Sequence, residues 1–162
     1  MYQAMSGDEL RQKGVLLIEN VRDGFQKHEA CLLKGKEHAM ERFLEKCLAV
    51  SGEASYVDFY YHVLSAEEKI RFEAEAGQEG KRLLPLFERA AENKVYYPLD
   101  GGNLGFLAGI TARALLFSTF YFTSPKALVW GNYNLEYPLF CEESRDLELY
   151  KNIAVQCGLE VV

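Results

Sequence analysis

Between Gly101 and Cys141 the chain carries only three charged residues, Arg113, Lys126 and Glu136, against nine aromatics. The aromatics are Phe106, Phe117, Phe120, Tyr121, Phe122, Trp130, Tyr133, Tyr137 and Phe140. A stretch so poor in charge cannot stay solvated on all sides. It is either the core of the fold or a surface built to be covered by something else. Read as a strand, Leu115–Thr123 sends Leu115, Phe117, Thr119 and Tyr121 to one face and Leu116, Ser118, Phe120 and Phe122 to the other. A sheet wetted on one side alternates polar and apolar residues. Here both faces are largely apolar, so cover comes from within the chain or from a partner.

The preceding residues are charged and helix-patterned. Ser6-Gly7-Asp8-Glu9 has the form of a capping box. Leu10, Gly14, Leu17, Val21, Phe25, His28 and Leu32 then recur every three or four residues, which predicts a helix over about 7–33. A second helix is expected from Glu37 to Val50, with Met40, Phe43, Leu44 and Cys47 on its apolar side. Tyr56–Leu64 is expected as a short aromatic helix. Ser65-Ala66-Glu67-Glu68 opens a charged helix that Gly77 and Gly80 break, and Lys81–Asn93 resumes it.

Val95–Leu99 reads as a short strand, placed at a sheet edge by Pro98. Residues 104–117 fit helix or strand, because Gly105 and Gly109 weaken the helical pattern. Strands are expected at 116–123, 127–131 and 135–141, then a helix that Ser144 caps and a short return strand at 159–162. The whole predicts an α+β protein. A helical N-terminal half, about 7–93, packs on a small, mainly antiparallel, aromatic-rich sheet from the C-terminal half, about 95–162. Its 162 residues suit a single globular domain.

Formal charge is −6 and the pI is near 5.2. That disfavours a nucleic-acid backbone, which needs clustered Lys and Arg, and an anionic membrane surface. The charge-free runs on either side of Arg113 are each about a dozen residues, short of the roughly 20 that cross a bilayer. The first residues lack the basic start and apolar run of a secretory signal. Cys31, Cys47, Cys141 and Cys157 are widely spaced and read as reduced thiols. A cytoplasmic protein is expected.

Three constellations invite a chemical reading. Asp58 and His62, four apart on the expected short helix, would face each other, and a carboxylate beside an imidazole can orient a general base. The simpler reading is a helix-surface pair. Gly101, Gly102 and Gly105 follow a strand, where glycines let a backbone approach a cofactor phosphate. Their spacing is not Gly-x-Gly-x-x-Gly, so a plain turn is the simpler reading and no cofactor is expected. His28, Cys31 and His38 offer three metal-ligand types without a fourth at tight spacing, so no metal is expected.

With no catalytic motif, the leading expectation is a small acidic binding protein that acts by protein–protein contact, as an inhibitor or immunity-like protein does. Trp130 and Tyr133, at the expected hairpin between the last two long strands, are its candidate anchors, because Trp and Tyr are favoured at interface centres. One alternative is a small enzyme or ligand binder with a pocket near Asp58, His62 and the Gly101–Gly105 turn. The other is a homo-oligomer, such as a homodimer, with the aromatic sheet as its interface.

Overall fold

A computed structural model describes residues 1–162. Its helices are α1 (Gly7–Gln12), α2 (Val21–Lys27), α3 (Glu37–Ser51), α4 (Ala66–Leu83), α5 (Leu104–Ala112) and α6 (Ser144–Gln156). Its strands are β1 (Glu29–Lys34), β2 (Ser55–Asp58), β3 (Tyr96–Pro98), β4 (Thr119–Thr123), β5 (Lys126–Trp130), β6 (Glu136–Cys141) and β7 (Glu160–Val161). The fold is α+β. All seven strands join one antiparallel sheet in the order β3-β2-β4-β5-β6-β1-β7.

The charge-poor stretch builds the middle of that sheet. β4, β5 and β6 lie side by side, and β2 and β1 flank them. Alternate side chains then feed two separate apolar clusters. Val57, Phe120, Phe122, Val129, Leu139 and Leu33 face the larger one, which α3, α4, α5 and α6 complete. Tyr121, Leu128 and Phe140 face the smaller one, closed by Leu10 of α1 and by Val15 and Leu16. The aromatic strand is therefore covered on both sides by its own chain, which is why neither face needed polar residues.

α5 resolves the ambiguity over residues 104–117 as a helix. Leu104, Phe106, Leu107, Ala108, Ile110 and Thr111 are all buried, so the helix is apolar nearly all round and shows no clean stripe. Phe106 meets the rings of Phe59 and Phe72 at 6.2 and 6.5 Å, tying α4 to α5. α4 starts at the expected capping box, in which Ser65 and Glu68 bond each other's backbone. It passes Gly77, where φ is +63°, and runs to Leu83. Residues 87–93, expected as helix, form a loop after a 3-10 turn at Leu84–Leu86.

The expected helix over 7–33 is instead α1, an irregular link, α2 and β1. Gly14 adopts φ +85° and ends α1. Val15-Leu16-Leu17-Ile18 is a run of four apolar residues, too wide for one helical face, and the link lays it along the sheet. Cys31 and Leu33 alternate inward from β1, a period of two that the three-to-four spacing masked. The expected helix at Tyr56–Leu64 is likewise β2 followed by a 3-10 turn at Tyr61–Val63. Ser144 is the first residue of α6 rather than its cap, which is Glu143. β3 lies at the sheet edge, as Pro98 requires. Its outer side is met by the N-terminal segment, where Met5 and Tyr96 exchange backbone hydrogen bonds.

Candidate functional site

β2 pairs with β4 through Ser55–Phe122, Tyr56–Tyr121 and Val57–Phe120, and then the two strands part. At the parting, Asp58 supplies a side-chain acceptor where the ladder lacks a backbone one. Its Oδ1 accepts the Thr119 N–H at 2.7 Å, and its Oδ2 lies 3.4 Å from the Tyr121 hydroxyl. Across β4, the Gly131 N–H donates to the Ser118 carbonyl at 3.1 Å. A side chain at Gly131 would press on that carbonyl oxygen and on the Thr111 methyl, so β5 can leave the sheet here only through glycine.

The gap left by these departures is a cleft of about 450 Å³ on the smaller face of the sheet. Asp58, Thr119 and Tyr121 belong to its sheet side. Tyr60, Tyr96, Phe117 and Trp130 add aromatic walls. Gly7 and Arg11 of α1 and the linker residues Leu17, Ile18 and Glu19 line the side facing the sheet. Arg11 is paired with Asp8 at 3.0 Å in solvent.

Burial dominates the electrostatics. Asp58 is 6% exposed. Loss of hydration pushes its carboxyl up from 3.8 to about 7, although the hydrogen bonds from Thr119 and Tyr121 oppose the shift. Burial also raises the phenols of Tyr60, Tyr96 and Tyr121, with the nearby Asp58 charge adding to it. These phenols remain protonated donors at neutral pH. The cleft thus contains one carboxyl that titrates near neutrality, surrounded by hydroxyl groups that do not.

Asp58 and His62 do not bond each other. The backbone is extended through Asp58, and the His62 ring Nε2 lies 2.9 Å from the Phe87 carbonyl oxygen. The partner of Asp58 is 61 residues away in sequence. Gly101 and Gly102 form a turn before α5, as does Asp100, whose Oδ1 accepts the N–H groups of Gly102 and Asn103 and the Tyr2 hydroxyl. A carboxylate already sits where a phosphate would approach. Gly105 lies within α5 beside the Glu41 side chain.

His28 ends α2, Cys31 points into the core from β1, and His38 lines a separate hollow with Lys34, Lys36 and Arg42. No group of three or more His, Cys, Asp or Glu side chains is arranged to hold a metal ion. Trp130 is half-buried in the cleft wall. Tyr133 is 63% exposed and meets Phe117 edge-on at 4.6 Å.

Arg11, Glu19, Tyr96, Thr119 and Tyr121 had no signal in the sequence as site residues. The one available hint was Asp58 itself, a charge closing the strand pattern Ser55-Tyr56-Val57. No helix is long and apolar enough to cross a membrane. Comparison with protein-family models, with curated proteins and with solved structures finds no match to this chain.

Proposed function

We propose that the protein is a binder of a small molecule, which it takes into the cleft between α1, the 13–20 linker and the β2–β4–β5 part of the sheet. The observation that carries this reading is Asp58, a buried carboxyl at a cleft of ligand size, with unspent acceptor capacity. Binding fits better than turnover. The four thiols are buried away from the cleft, His62 is bonded elsewhere, and the neighbouring phenols are held protonated. We read the protein as cytoplasmic, supported by its four free cysteines, which a reducing setting preserves.

Trp130 is the only tryptophan and lines the cleft, so its fluorescence and indole NMR signal report on occupancy. A library of small organic cations, anions and neutral polyols should contain compounds that shift the Trp130 signals saturably. Ile18→Phe, which narrows the cleft, should weaken them. Absence of saturable binding across all three classes would overturn the reading.

Contact with a protein partner is a second reading, favoured by the exposure of Tyr133 beside Phe117. Because the aromatic sheet is covered internally, that contact would use this one corner. Tyr133→Ala should then abolish co-purification of a partner from the native host and leave ligand binding intact.

A further inference from the structure

Resting on the ligand-binding reading, we infer that the cleft accepts an organic cation: an ammonium group on an apolar body, seated with the ammonium against Asp58. The carboxylate is the only charged group buried there. Oδ1 accepts a short hydrogen bond from the Thr119 N–H, Oδ2 lies 3.4 Å from the Tyr121 hydroxyl, and the Thr119 side chain also bonds the carboxyl. A carboxylate has about four acceptor positions, so it retains room for an N–H donor.

The walls suit the same class of ligand. Tyr60, Tyr96, Tyr121, Phe117 and Trp130 line the cleft, and cations are attracted to aromatic faces within about 6 Å of the centroid. Of the two charges at the mouth, Glu19 is acidic, and Arg11 is engaged by Asp8. An anionic ligand would meet Asp58 with like charge in a place poor in water. A neutral polyol can hydrogen-bond the hydroxyls and the carboxyl but supplies no counter-charge to its ionised form. The net charge of −6 also favours the approach of cations.

Seating a cation beside Asp58 favours its ionised form. The groups facing Asp58 are the phenols of Tyr60, from the segment after β2, and Tyr96, from β3, and Thr119 and Tyr121 from β4; Arg11 and Glu19 stand at the mouth. The phenols stay protonated, so Asp58 is the group whose proton a bound cation displaces near neutral pH. Arg11 and Glu19 remain in an Asp58→Asn variant and do not account for a difference between it and the parent.

The test uses four probes that share one ring: benzylammonium, benzyltrimethylammonium, benzyl alcohol and benzoate. Trp130 fluorescence and indole NMR shifts give affinities at pH 5 and pH 8. At pH 8 the two cations should bind about tenfold or more tighter than benzyl alcohol. The preference should shrink at pH 5, and calorimetry at pH 7 in buffers of different ionisation enthalpy should detect proton release. Asp58→Asn should reduce the preference to less than about twofold while keeping benzyl alcohol binding. Should that variant not fold, the pH dependence and proton release of the parent carry the test. Equal affinity for alcohol and cations, or tightest binding of benzoate, overturns the cation assignment and leaves the cleft a ligand site. Failure of all four probes, while another library compound saturates the cleft, has the same meaning. Failure of every compound removes the ligand reading as well.

Discussion

Asp58 Oδ1 accepts the backbone N–H of Thr119 at 2.7 Å, one position beyond the last paired residues of β2 and β4. The side chain therefore does the work of a strand carbonyl. Removing it by Asp58→Ala leaves a buried N–H without a partner, which costs about 1–3 kcal/mol. Asp58→Asn keeps an acceptor and should cost less. Urea unfolding of the two variants measures the difference, and equal midpoints would show that the bond carries no weight.

The same residue makes stability depend on pH. Its folded pKa, about 7, lies above its ordinary value of 3.8, so the folded chain holds the proton more tightly than the unfolded chain between those values. Its contribution to stability is therefore greatest below about pH 4 and declines as pH rises to 7. The slope is at most about 1.4 kcal/mol per pH unit. Asp58→Asn should remove this decline, so the parent should lose stability relative to the variant from pH 4.5 to 7.5. Chemical denaturation across that range checks the sign.

Phe120 is fully buried in the larger cluster, whereas Phe117 is only partly buried near the cleft. Phe120→Ala should lose about 3–5 kcal/mol, and Phe117→Ala clearly less. Equal losses would mean that the strand is packed differently from the arrangement described.

Gly131→Ala should destabilise the fold by about 1–3 kcal/mol, because the new methyl meets the Ser118 carbonyl and the Thr111 side chain. A cleft still reported as intact by Trp130, together with an unchanged melting temperature, would contradict that close approach.

All four cysteines are buried and free, and burial raises the Cys31 thiol to about 11 and the Cys141 thiol to about 12. A disulfide-exchange reagent should react slowly with the native protein and rapidly with four groups after denaturation without reductant. Fewer than four would mean that a disulfide forms.

Legibility followed the range of the interactions. α3 shows its buried face in a local repeat, the α4 start is written in Ser65 and Glu68, and Pro98 marks an edge. The two apolar faces of Phe120–Phe122 announced cover on both sides, though not its source. β1 and β2 were read as helix because Leu10–Leu32 and Tyr56–Leu64 satisfy a local spacing, while the pairing that makes them strands lies with distant β6 and β4. Asp58 stood out as a candidate from the sequence. Its neighbours did not, since helix spacing pointed to His62 and the sheet brought Thr119, Tyr121 and Tyr96 instead.

The sheet order has a consequence for synthesis. β1 and β2 leave the ribosome early; β2 gains β3 on one edge within about 40 residues, but the inner partners of the two strands, β6 and β4, come much later. Until then α3 lacks the central strands of its sheet, and one edge each of β1 and β2 waits for a partner about 60 to 110 residues downstream, a long loop to close. The nascent chain therefore passes through a period with apolar surface and open edges exposed, when it is most prone to misassociation. A chain stopped before Thr119 should remain in that condition.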